Sequence, residues 1–321
     1  MPLVELLPIF GGMSAPAFFL VFACAALGAP MLALVCRGAA ALRSSAHLEA
    51  YARRLVRMAL SCAAPAMLAL ALWAGLAAKR APWLADWVRA APSVPGLFCL
   101  AALAFCALLV AMRRRQAHDR RQDGSFGQTS IVALLAVAIL FFGRSIVLPG
   151  MQQAQAVLAA PQAGALSVAP LILPDITTSP ASLWPGLAAL CTLSLAAAGA
   201  MSLEYLLLLR DREPFGREAL AGILRLAARC TLRCALLAGA FLPFLWTRLP
   251  DLSRLPGADS SARLLLGMAA GCCGLLILTS GVVARSNRPW DRSGAIHTTV
   301  FSVWMGLTSC LSVALLCFYG S

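Results

Sequence analysis

Eight long apolar stretches run through this chain, at 14–36, 56–78, 95–112, 129–149, 184–209, 226–247, 264–284 and 298–319. A helix needs about 20 mainly apolar residues to cross the roughly 30 Å hydrocarbon core of a bilayer, and these stretches are of that order. A crossing segment has no water to bond, so it satisfies its own amide groups as a helix or within a closed barrel. Barrel strands alternate polar and apolar side chains, and runs such as Ile131 to Phe142 show no alternation. The pattern therefore predicts an all-α integral membrane protein with eight transmembrane helices. Composition agrees, since 61% of the 321 residues are hydrophobic and 12% charged, too few polar side chains to clothe a water-soluble fold. Met1 to Phe10 carry Glu5 and no Lys or Arg. The basic start of a secretory signal is missing, and the first apolar segment is expected to be a retained helix.

The basic residues are distributed unevenly between the connections. Arg37, Arg43, Arg53, Arg54 and Arg57 follow the first segment, and Arg113, Arg114, Arg115, Arg120 and Arg121 the third. Arg210, Arg212, Arg217 and Arg225 follow the fifth, and Arg285, Arg288 and Arg292 the seventh. The even-numbered connections hold only Lys79, Arg80, Arg89, Arg248, Arg254 and Arg263. Cytoplasmic loops carry the excess of Lys and Arg, so the odd connections are expected in the cytoplasm and both termini on the outer side. The net charge of +13 is then topological, facing anionic lipid headgroups, and a nucleic-acid partner is not expected. Arginine almost to the exclusion of lysine, with abundant Ala and Leu, points to a GC-rich bacterial genome and hence to the bacterial inner membrane.

Three regions follow: a first four-helix bundle over 1–149, an outer loop over 150–183, and a second four-helix bundle over 184–321. Each half opens with a helix, an Arg-rich connection and a second helix that starts basic ("YARRLVRMAL", "LAGILRLAARC"). An even number of helices per unit makes such repeats parallel; shared Ala–Leu composition is the competing explanation. The outer loop is long for a connector, with one charge, Asp175, and the apolar run Leu166 to Leu173. It reads as a lid over the bundle, a contact for a partner subunit, or a hairpin resting on headgroups.

Ionisable residues inside a membrane are costly and therefore informative. Glu204 stands near the inner end of the fifth segment, and Arg229 and Arg233 share one face of the sixth, four residues apart. An ion pair from Glu204 to either arginine is expected across this hairpin. Its functional reading is a polar pocket for a quinone headgroup, a proton or an anion; its structural reading is a lock on the hairpin, or arginines snorkelling to lipid phosphates. Arg144, near the outer end of the fourth segment, and His297, at the inner end of the eighth, complete the candidate polar pocket. The twelve cysteines match neither zinc nor iron–sulfur spacing and read as small apolar fillers. Three histidines do not supply a facing pair for haem b. No metal is expected, and no Walker, GxSxG, HExxH or paired CxxC motif is present. Helix-packing cues are Gly267 with Gly271, Ala196 with Ala200, and prolines at 30, 65 and 243.

The expected function is a multi-pass membrane subunit without a redox cofactor of its own, part of a respiratory electron-transfer complex and able to meet quinone. Its partners would be other membrane or periplasmic redox subunits. A small-solute or lipid transporter is the alternative, weakened by a midplane that is largely apolar; a purely structural assembly subunit is the third option. No catalytic motif marks the chain as an enzyme.

Overall fold

The structure is a computed structural model and describes residues 3–43, 45–80, 93–118, 126–141, 180–210, 217–241, 243 and 258–319. Its elements are α1 (Leu3–Arg43), α2 (Ala46–Arg80), α3 (Ser93–His118), α4 (Phe126–Phe141), α5 (Pro180–Leu208), α6 (Arg217–Ala240), α7 (Ala258–Arg285) and α8 (Ser293–Tyr319). A single 3-10 turn, Pro289–Arg292, joins α7 to α8. Among the described residues there is no strand. Every expected apolar segment lies on a helix over its described residues, apart from Leu209 and Phe241, which form turns just past the ends of α5 and α6. Among the described residues, four stretches are long and apolar enough to cross a membrane: Phe10–Arg43, Leu187–Leu208, Ser261–Arg285 and Pro289–Val313. Arg144 and nearly all of the 150–183 loop lie outside the described residues.

The helices outrun the apolar segments, which relocates many arginines. At 1.5 Å per residue, the 41 residues of α1 reach about 60 Å, twice the hydrocarbon thickness. Residues 44 and 45 are all that separates α1 from α2. Arg37, Arg43, Arg53 and Arg54, expected in a connecting loop with Arg57 at its edge, therefore stand on helices. Hydropathy marks where lipid begins, whereas the helix ends where its capping signals lie. Here Ser45 accepts the amide of Glu49 through its carbonyl at 3.3 Å, and Glu49 places negative charge in the first turn of α2, where the helix dipole favours it. Helices also pass unbroken through Pro30 and Pro65. In contrast, α6 ends at Ala240, three residues ahead of Pro243, where a proline ring disfavours continuation of the preceding turn.

One buried cluster runs from Ala17 on α1 to Leu307 on α8, drawing residues from both halves of the chain. At its heart α1 lies against α2, α5 and α8, and α5 lies against α1, α6 and α8. Small residues set these distances. A Cβ on Gly28 would collide with the Ser194 backbone, and one on Gly199 would come within 2.6 Å of Thr231 Oγ1. Ala196 and Ala200 are buried in the same core. Gly267 and Gly271, in contrast, have open space around them: among the described residues the GxxxG stretch of α7 makes no close helix contact. Leu100, Leu134, Leu236, Leu237, Leu278 and Phe301 are exposed, as befits a helix bundle whose outer faces meet lipid rather than water.

Candidate functional site

The chemistry-bearing side chains gather where α1 passes to α2, α5 to α6 and α7 to α8. Glu204, on the penultimate turn of α5, meets His297, on the second turn of α8: Oε2 lies 2.9 Å from Nδ1. The carboxylate is the more sheltered of the two, at 20% exposure against 59% for the imidazole. This contact holds one ring nitrogen, while the imidazole as a whole stays more than half exposed. When Nδ1 donates its proton to the carboxylate, Nε2 carries a lone pair; a protonated ring offers a second N–H there.

The expected bond from Glu204 to Arg229 or Arg233 is not formed among the described residues. The rotation of α6 explains this. Its buried face is Leu220, Ile223, Leu224, Ala227, Ala228, Thr231, Cys234 and Ala235, turned to the shared core. Arg229 and Arg233 fall on the opposite, exposed face. Depth within the hairpin was legible from the sequence, but facing was not.

Arg229 instead lines two adjoining cavities together with Arg225. The larger, about 860 Å³, lies between α6, α7 and the 3-10 turn, and its wall also carries Arg285 and Arg292. The smaller, about 350 Å³, is bounded by Arg43, Ser45, His47 and the start of α6. The structure thus brings Glu204 to His297 and Arg229 to other arginines, and leaves Arg233 exposed on its own helix.

A second polar centre escaped the sequence reading. Arg37, only 4% exposed, donates from Nη1 to Thr129 Oγ1 at 2.7 Å, and its Nε lies 3.5 Å from Glu49 Oε1. It ties α1, α2 and α4 in one place. Nearby Tyr51 and Ser202, both buried, share a hydrogen bond of 2.8 Å between their hydroxyls, and Ser202 lies within 2.6 Å of the Gly199 carbonyl. Hydropathy assigned Arg37 to a loop, and no local signal pairs Tyr51 with a residue 151 positions away.

The cysteines among the described residues are unpaired thiols. Cys36 on α1 and Cys230 on α6 lie close enough to influence each other electrostatically, although their helices are distant in sequence. Among the described residues, no three or more His, Cys, Asp or Glu come together in a way that could hold a metal ion. Comparison with protein-family models, with curated proteins and with solved structures found no match.

Proposed function

We propose that this chain is a multi-pass membrane subunit of an electron-transfer complex, without a redox centre of its own, and that a quinone headgroup meets it at the Glu204–His297 pair. One observation carries this reading: an imidazole held at Nδ1 by a carboxylate at 2.9 Å, with its outer face open at the end of two long apolar helices. A quinone carbonyl accepts a hydrogen bond from an Nε2–H, and a quinol hydroxyl gives its proton to a neutral Nε2. Glu204 orients the ring and balances the charge when the proton arrives. An isoprenoid tail would follow the apolar outer faces of the helices.

In the same reading all eight helices cross the bacterial inner membrane, as two halves of four. The arginine-rich end faces the cytoplasm, and both ends of the sequence lie outside. The gathering of Arg43, Arg225, Arg229, Arg285 and Arg292 around two adjoining cavities supports one common side for these connections.

Purification in mild detergent, followed by identification of whatever accompanies the chain, tests membership of a complex. Cytochrome or iron–sulfur subunits in stoichiometric amount are expected; a lone chain that moves solute across liposomes would overturn the reading in favour of transport. A photoreactive quinone analogue, added to the purified protein, should label α5 or α8 near the pair. Labelling that is unaltered by His297→Ala would remove the pair from the site.

A further inference from the structure

The larger cavity between α6 and α7 has a chemistry that the quinone reading does not use. Its mouth is cationic. Arg225 and Arg229 stand four residues apart on α6, Arg285 closes α7, and Arg292 ends the 3-10 turn. Among the described residues no carboxylate lines the wall, and none pairs with any of these four guanidinium groups. Arg225 is partly engaged, its Nε donating to the Ala221 carbonyl at 3.3 Å. Four like charges around one cavity repel one another unless an anion lies between them.

Away from the mouth the same cavity turns apolar. Leu232 on α6 and Ile277, Leu278 and Val282 on α7 form its walls. Gly281 contributes no side chain, and a Cβ built there would meet nothing within 4 Å. From Arg285 back to Ile277 is eight residues, about 12 Å along the helix. Polar and apolar parts are therefore separated lengthwise, as in an amphiphile. The volume of about 860 Å³ exceeds what a bare anion fills.

We infer that this cavity is a binding site for an amphiphile with a phosphate headgroup of two or more negative charges, the head among the four arginines and a hydrocarbon chain in the groove beside Gly281. A headgroup of single charge leaves the cluster under-neutralised, and a zwitterionic one adds a cation to it. Guanidinium groups bind phosphate oxygens by paired N–H donors, so several arginines hold such a head in a fixed orientation. The cavity is formed by α6, α7 and the 3-10 turn, so it is open to test whatever the fate of the Glu204–His297 reading.

The test uses the full chain, purified and stripped of lipid in a neutral detergent. Dioleoyl phosphatidic acid, dioleoyl phosphatidylcholine and inorganic phosphate are added separately, and bound equivalents are counted by native mass spectrometry beside a thermal unfolding curve. Phosphatidic acid is expected to bind at one saturable equivalent and raise the unfolding temperature, since a ligand of the folded state stabilises it. Arg229→Gln with Arg285→Gln should weaken that binding by about tenfold or more, the scale of losing charge-assisted hydrogen bonds. Gly281→Trp keeps every charge and fills the groove; it should weaken phosphatidic acid comparably while the unliganded protein unfolds at an unchanged temperature. Inorganic phosphate stabilising as well as the lipid would make this a free-anion site and overturn the inference. Equal binding of phosphatidylcholine, or lipid binding indifferent to Gly281→Trp, would overturn it too.

Discussion

Glu204 and His297 lie 93 residues apart in the chain, and their side chains meet at 2.9 Å. The contact joins α5, the central helix of the second half, to α8, the helix that also lies against α1. Farther along α8, Trp304 donates its indole N–H to the Ser14 carbonyl of α1 at 2.8 Å, and its ring meets Phe18 edge-on at 5.8 Å. Polar contacts thus hold α8 at two levels, so the imidazole is presented from a supported helix rather than from a loose end.

Since His297 is more than half exposed, its pairing with Glu204 contributes little to stability. Exposed ion pairs are worth about 0.2–1 kcal/mol. His297→Ala and Glu204→Gln are therefore expected to shift thermal unfolding in detergent only slightly, while labelling by a photoreactive quinone falls at least tenfold in each. A large loss of stability in both variants would mean that the pair is a structural lock.

Arg37 behaves in the opposite way. Its guanidinium is buried against Thr129 and Glu49, and truncating one partner of a buried ion pair costs up to about 3–5 kcal/mol. Glu49→Ala should lower the unfolding temperature strongly. Combining it with Arg37→Met should cost less than the two single losses added together, and a double-mutant cycle measures that coupling. Strict additivity would show that the two charges do not sense each other.

Gly28 and Gly267 should separate cleanly. A Cβ on Gly28 collides with the Ser194 backbone, whereas one on Gly267 meets nothing within 4 Å. Gly28→Ala forces α1 away from α5 and is expected to destabilise by about 1–3 kcal/mol, the usual scale of overpacking. Gly267→Ala should be neutral or slightly stabilising, because alanine is the better helix former. Equal effects in thermal unfolding would contradict the close approach of α1 and α5.

Tyr51→Phe removes one hydroxyl from a fully buried pair. Ser202 keeps the Gly199 carbonyl as a partner, so no donor is left unmet. The expected cost is that of one hydrogen bond, about 0.5–1.5 kcal/mol. A loss well beyond that range would indicate that Tyr51 also supports the packing of the neighbouring Cys36 and Cys230.

Much of the architecture was legible without coordinates. Eight apolar segments predicted helices, Glu204 stood out as a costly group within one of them, and His297 was placed at the inner end of another. Both are local properties: hydropathy sums over neighbours in the chain, and an ionisable residue is visible where it stands. Partner choice is not local. Glu204 chose His297 over Arg229 because packing of Ile223, Leu224 and Ala227 into the core rotates the arginines outward, a rotation that no count of residues between two charges contains. Arg37 was misplaced for a related reason, since the helix carries on past the end of its apolar stretch and takes the arginine into the core. Gly28 rather than Gly267 became the close contact because contact depends on which face meets a neighbour, and an identical small residue on an open face has nothing to approach. The sequence by itself determined that this chain is helical and apolar, and which connections are rich in arginine. Only the tertiary structure decided which of those arginines are buried, which line a cavity, and which acid holds the histidine, because helix rotation is set by side-chain packing between segments far apart in the chain.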